Sequence, residues 1–221
     1  MGRPGKLAEE HRRALVRLIG LSGIDRFYLV GGTAIAYHLG HRISEDLHLF
    51  SIRGRVDLDA LRTQVETAIP GARFRGSSDV ILKIEVEGIP VDFVAHPYPP
   101  ANPPIAGPEG VNLATLPDLG AMKFAAICRR GIRRDFWDLH EIVVSGGVAL
   151  DEVRTTYQTM FGASQDNLYH VLRSLTWFAD AEAVPEMPRG LTDVQWEEIK
   201  RFFLRETPRL LDTFRKSTFE Q

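Results

Sequence analysis

Asp46 and His48 stand two residues apart in the run DLHLFS, so in an extended chain their side chains leave one face while Leu47 and Leu49 leave the other. A second acid, Asp92, lies in VDFVA between Val91 and Phe93, again a carboxylate opposite an apolar pair. Ahead of both comes Gly31-Gly32-Thr33, directly after the β-prone run FYLV. Glycines at a strand-to-helix turn let the backbone approach a phosphate closely, and free N–H groups at the helix start point toward the anion. Carboxylates gathered beside such a turn make a hard-oxygen site of the kind Mg²⁺ accepts, with water and substrate phosphates completing its shell. Taken singly, each feature has a plainer reading. Two glycines serve any turn that needs positive φ, and a lone acid on a strand is usually solvated.

The elements that must position these groups follow from periodicity. Residues 7–21 place Ala14, Leu15, Leu18 and Ile19 on one helical face, and Gly23 ends the pattern. Residues 27–30 read as a strand, with Thr33 expected to cap a helix over 34–39 and Gly40 suited to the position after its end. A second strand is expected at 46–51, a helix at 58–69, and two further strands at 81–87 and 89–94 joined near Gly88. In the first of these, Leu82, Ile84 and Val86 alternate with Lys83, Glu85 and Glu87, the pattern of a sheet with one wet face. The proline-rich stretch PYPPANPPIAGP forbids regular pairing, which predicts an extended connector at 99–111 between an α/β domain of residues 1–98 and a helical domain of residues 112–221. Helices are expected over 117–129, 133–144, 150–161, 167–181 and 192–214, the last interrupted at Pro208. Phe136, Leu139 and Val143 are spaced for one buried stripe, and Val194, Ile199, Phe202 and Phe203 for another.

Composition removes several classes of function. With a formal net charge of −2, the chain has no global basic footprint, so any nucleic-acid partner must be met locally, and the arginines within 129–134 form the one cluster suited to that. The single cysteine, Cys128, cannot form an intrachain disulfide and reads as a buried small residue, which fits a reducing, cytoplasmic setting. No apolar run approaches the roughly 20 residues that span a bilayer, and the N-terminus turns polar where a signal peptide would be apolar, so no membrane partner is expected.

The segments GGTAIAYHLGHRISEDLHLF, VDFVAHP and LPDLGAMKFAAICRRGIRRDFWDLHEI, in that order, resemble the AbiEii/AbiGii toxin family of nucleotidyltransferase-fold proteins. That family's pattern reads approximately GGTAL, HRxSxDxDLF, a later VD, and DLxAMKxxAxxxRxxxRDxxDL. The resemblance implies an α+β fold: a nucleotidyltransferase-like mixed β-sheet flanked by helices, of the polymerase-β-like kind, followed by a C-terminal helical bundle. It implies Mg²⁺-dependent transfer of a nucleotide from an NTP to an acceptor, an RNA such as tRNA in some members, and a cognate antitoxin encoded nearby. Carried over, Gly31, Gly32 and Thr33 match the phosphate-cradling turn, with Arg42 and Ser44 as further nucleotide contacts. Asp46 matches the first metal carboxylate, and Asp92 the third, as metal ligand or general base. Lys123 is expected to reach the triphosphate. Asp135 and Asp138 match the closing acid pair, and Arg134 is expected to bind phosphate or to pair with Asp135.

One position departs from the pattern. His48 stands where the family places a second metal carboxylate, so a neutral nitrogen donor replaces a charged bridge. Magnesium prefers oxygen, whereas imidazole suits Mn²⁺ less poorly and other ions well. The substitution therefore predicts weak Mg²⁺ affinity, a shifted metal preference, or a catalytically degenerate NTP-binding or regulatory relative on the same scaffold.

Overall fold

The computed structural model describes residues 5–219, which divide into two compact units, Met1–Thr115 and Leu116–Gln221. In the first unit, seven strands among the described residues form one mixed sheet in the order β3-β4-β5-β2-β1-β7-β6. They are β1 (Phe27–Val30), β2 (Leu47–Ser51), β3 (Arg73–Ser78), β4 (Ile81–Val86), β5 (Ile89–Val94), β6 (Ile105–Ala106) and β7 (Asn112–Leu113). The β2–β5 and β1–β7 pairs are parallel and the others antiparallel. Helices α1 (Glu9–Leu18), α2 (Gly31–Leu39) and α3 (Leu58–Ala68) belong to the same unit.

An apolar row fixes the register. Leu82, Phe93, Leu49, Leu29 and Leu113 are successive cross-strand partners, and each is at most 2% exposed. A slip of one residue would turn this row toward water and the polar row into the core, so burial of one face dictates what meets on the other. There, Lys83 pairs with Asp92, Asp92 with His48, and His48 with Val30. The β4–β5 connection places Glu87 and Gly88 at positive φ, and Glu87 is held by Arg13 and Arg17 from α1.

Three features of this unit differ from the sequence reading. Strand β3 was not expected: its residues are nearly all exposed, and Gly76 follows a register shift after Phe74, so neither alternation nor burial marks it. The stretch read as a connector at 99–111 instead carries β6, which pairs with β7 at the edge of the sheet. A two-residue strand between prolines is tolerated there because an edge needs few paired N–H groups. Thr33 is not a cap, because α2 starts at Gly31 with Val30 in the capping position.

The second unit is helical: α4 (Leu116–Arg129), α5 (Arg133–Val144), α6 (Leu150–Phe161), α7 (Gln165–Ser174), α8 (Ala179–Ala183) and α9 (Asp193–Phe219). Gly120 lets α4 approach α6, since a Cβ there would meet the methyl groups of Val153 at 2.8 and 3.1 Å. Phe136 centres an aromatic cluster with Phe178, Trp196 and Phe203, ring centroids 5.2, 5.8 and 5.6 Å away. The helix expected at 167–181 is two, α7 and α8, and α9 runs on through Pro208, whose exposed position turns its ring to water. Ile142 rather than Val143 completes the α5 stripe, Val194 is exposed, and Cys128, expected to be buried, is exposed on α4.

Candidate active site

The turn between β1 and α2 is shaped by what packs on it. Gly31 takes φ +73°, and a Cβ there would lie 3.2 Å from Nδ1 of His48. At Gly32 an added Cβ would fall 2.1 Å from Nη2 of Arg42 and 3.0 Å from Oγ of Ser44. Both glycines are therefore needed so that the chain over residues 42–48 can lie against the turn. Thr33 ties the two together: its hydroxyl donates to the backbone carbonyl of Asp46. Arg42 and Ser44 are buried, Arg42 donates from Nη1 to the carbonyl of Ile43 at 3.2 Å, and the Ser44 hydroxyl points at Oδ1 of Asp46 across 3.4 Å.

The polar row of the sheet continues from there. The His48 ring stands between two carboxylates, with Nδ1 3.8 Å from Oδ1 of Asp46 and Nε2 3.7 Å from Oδ2 of Asp92. Lys83 brings its ammonium group to 3.3 Å from the same Oδ2 of Asp92. Gly31, Gly32, Thr33, Arg42, Ser44, Asp46, His48 and Asp92 thus gather in the first unit. Lys83 joins them without having been singled out from the sequence. Its place in LKIEV showed that it faces water; only the β4–β5 register shows which acid it faces.

Among the described residues no three His, Cys, Asp or Glu side chains form a ready metal cage. A single imidazole addressing each acid with a different nitrogen cannot bridge two ions as a carboxylate does, and Lys83 already neutralises part of Asp92. The residues present do not fit a pair of ions. The Asp46 carboxylate is half exposed, so an ion held there would draw most of its shell from water and substrate oxygens.

Lys123, Asp135, Asp138 and Arg134 lie in the second unit. The Lys123 ammonium group is 2.9 Å from Oδ1 of Asp135 and 2.8 Å from Oδ2 of Asp138, and both acids are fully buried. Arg130 closes the cluster with two bonds to Asp135, at 2.9 and 3.0 Å. Burial would push the Lys123 pKa down, but Asp138 and Asp135 reverse this and it is raised; burial would push Asp135 up, but Lys123 and Arg130 hold it low. The partner of Asp135 is thus Lys123 with Arg130, while Arg134 is exposed. Arg133 donates to the carbonyls of Val184 and Glu186.

A profile of the nucleotidyl transferase AbiEii toxins, of type IV toxin–antitoxin systems, matches residues 13–220. The chain belongs to the AbiEii nucleotidyltransferase toxin family. An uncharacterized protein of Aquifex aeolicus is 30% identical over 212 residues, covering 94% of this chain and 98% of that protein. Among solved structures, the nucleotidyltransferase toxin MenT4 of Mycobacterium tuberculosis superposes with a TM-score of 0.53 at 17% identity, covering 91% of this chain and 84% of the other. That likeness establishes a shared nucleotidyltransferase fold, as the sequence motifs implied. AbiEii membership makes this a toxin–antitoxin nucleotidyltransferase, and no described helix is long and apolar enough to cross a membrane.

Proposed function

We propose that this AbiEii protein transfers a nucleotide from an NTP to a hydroxyl group of an RNA acceptor such as tRNA, assisted by one Mg²⁺ or Mn²⁺ ion at Asp46. The observation that supports it is the strand register, which sets Asp92 beside His48, with Asp46 one residue ahead of β2, next to a glycine turn overlaid by Arg42. The acceptor oxygen bonds to the α-phosphorus as the bond from that phosphorus to the β-phosphate oxygen breaks, and pyrophosphate leaves. The hydroxyl proton passes to a carboxylate oxygen of Asp92, whose charge Lys83 steadies from 3.3 Å. Backbone N–H groups at the start of α2 and the guanidinium of Arg42 hold the phosphates. The bound ion supplies Lewis-acid stabilisation of the phosphoryl oxygens. A cognate antitoxin and a cytoplasmic setting belong to the same reading.

A second reading is favoured by one feature: the His48 ring fills the interval where a bridging carboxylate would stand, and Lys83 competes with any cation for Asp92. On this reading the protein binds an NTP without transferring it. Incubation with each labelled NTP, total tRNA and Mg²⁺ or Mn²⁺ separates the two. Incorporation that disappears in Asp46→Asn and Asp92→Asn supports transfer. Calorimetric binding of an NTP with no incorporation, and incorporation restored by His48→Asp, would establish the second reading.

A further inference from the structure

Past Asp92 and His48 the wet face of the sheet turns aromatic. Phe50 lies two residues after His48 on β2, so its ring leaves the same face about 7 Å farther along the strand, and its cross-strand neighbour Val94 lies two residues after Asp92. The chain leaving β5 then lays His96 against that ring. The two are stacked, centroids 4.6 Å apart at 28°, and the Tyr98 ring meets His96 edge-on at 5.6 Å. His96 is fixed from two sides: its backbone N–H donates to the Ser51 hydroxyl at 2.9 Å, and Nδ1 donates to the Tyr98 carbonyl at 2.8 Å. Burial holds its pKa below the ordinary value although the Tyr98 carbonyl pulls it upward, so the imidazole stays an uncharged stacking surface near neutral pH. Phe50 and His96 are half-buried, whereas Tyr98 is 42% exposed, and the group offers an open aromatic shelf to solvent.

A set of free cations adjoins the shelf. Phe27 pairs with Ser51, which brings Arg26 to the loop that carries Arg53 and Arg55, and the Arg26 guanidinium donates to the Arg55 carbonyl at 3.3 Å. The Ser51 hydroxyl that receives His96 donates to the Gly54 carbonyl at 2.7 Å, so this loop and the shelf share one anchor. Arg53 and Arg55 are exposed, and among the described residues neither guanidinium has a partner. Elsewhere on this unit Arg12, Arg17, Arg62 and Arg73 each face a carboxylate. Of the acids alongside, Asp57 accepts from the Ala60 N–H as the cap of α3, and Asp25 is exposed. Rings beside unpaired arginines are the composition of a surface for single-stranded nucleic acid, where rings take bases and guanidinium groups take phosphates.

We propose that this end of the sheet holds the single-stranded end of the RNA acceptor, with the terminal base on the shelf of Phe50, His96 and Tyr98 and the phosphates behind it on Arg53 and Arg55. The assignment rests on the nucleotide-transfer reading. A terminal ribose whose hydroxyl lies at Asp92 has the shelf alongside, because the register sets carboxylate and rings on one face about 7 Å apart. Stacking tolerates any base, so the surface recognises a free end more than a sequence.

Fluorescence anisotropy of the full chain with an end-labelled tetranucleotide RNA, without NTP or metal, tests it in the native protein, Tyr98→Ala, Tyr98→Phe and the double variant Arg53→Ala/Arg55→Ala. Tyr98→Ala should weaken binding about tenfold, and Tyr98→Phe, which keeps the ring, should recover most of the loss. An oligonucleotide lacking the terminal base opposite the label should bind the native protein about tenfold more weakly and should be indifferent to Tyr98→Ala. The arginine variant should make the slope of log K against log salt concentration shallower by about 1.4, two contacts of about 0.7 each, with Tm unchanged. Calorimetric NTP affinity should be the same in every variant, which separates this surface from the nucleotide site. Undiminished RNA binding in Tyr98→Ala, or equal losses for intact and abasic oligonucleotides, would overturn the stacking assignment; an unaltered slope in the arginine variant would overturn the phosphate assignment. Polyglutamate that competes with RNA and is lost in the arginine variant would give the surface to an acidic protein segment instead. Tyr98-dependent RNA binding in a protein that incorporates no nucleotide would remove the transfer reading and keep the surface.

Discussion

A carboxylate at position 48 would add a negative charge to a row that already carries Asp92 and, one residue before β2, Asp46. Because the imidazole addresses each acid with a different nitrogen, His48→Asp should raise divalent-ion affinity, and with it nucleotide incorporation, by about tenfold or more. Labelled-NTP incorporation at limiting Mg²⁺ checks this, and an unchanged rate would show that residue 48 does not limit ion binding. Lys83→Met removes a cation 3.3 Å from Asp92 and should also tighten Mn²⁺ binding, measured by electron paramagnetic resonance. The Lys83 side chain is half exposed, so solvent screens it and the gain should be only a few-fold. Weaker Mn²⁺ binding would instead show that Lys83 holds Asp92 in position. Gly32→Ala, which drives a methyl group into Arg42 and Ser44, should cut NTP affinity about tenfold by displacing the guanidinium. The sequence made Asp46, His48 and Asp92 visible because a period of two residues sorts them from apolar neighbours. Lys83 was not visible, since strand register is a tertiary fact with no local signature.

At the scale of elements, the Lys123 cluster joins α4 to α5. Lys123→Met would leave two fully buried carboxylates, with Arg130 alone among the described residues to compensate Asp135, and should cost about 3–5 kcal/mol of stability in a denaturant titration. Adding Asp138→Leu should return part of that loss; no recovery would mean that Asp138 is satisfied by other groups. The pH dependence follows from the directions of the shifts. Asp135 has a folded pKa below its ordinary 3.8, so its contribution is present above that value and is lost as pH falls through the folded one. Lys123 is raised above 10.5, so its contribution is present below that value and disappears as pH rises through the folded one. A Tm profile flat between these limits and falling outside them is expected, with the acid limb reduced in Asp135→Asn. The spacing of Asp135 and Asp138 placed them on one helical face from the sequence alone. Their burial was not legible, because an acid on a polar-looking helix reads as solvated until its partner 12 residues earlier is brought alongside. Strand β3 and the break between α7 and α8 escaped for a related reason: an exposed edge has no apolar alternation, and a gap of about one turn, residues 175–178, can hide inside a helical period.

For the molecule as a whole, a net charge of −2 gives no global basic footprint, so the RNA acceptor proposed above would be met by a local cluster. The basic cluster of the helical unit is smaller than its sequence suggests. Arg130 is engaged with Asp135, and Arg133 donates to two backbone carbonyls, so both are already used in holding the fold. Arg129 and Arg134 are exposed and remain the better candidates for phosphate contacts. Each phosphate contact on a single strand contributes about −0.7 to the slope of log K against log salt concentration. Two contacts therefore contribute about −1.4 to that slope for binding of a single-stranded tRNA end, measured by fluorescence anisotropy across a salt series. Arg134→Ala should make that slope shallower by about 0.7 while leaving Tm unchanged, because its side chain is exposed and holds no buried group. A slope steeper than about −3 would require more cationic contacts than this cluster can offer and would move the RNA-binding surface elsewhere on the protein.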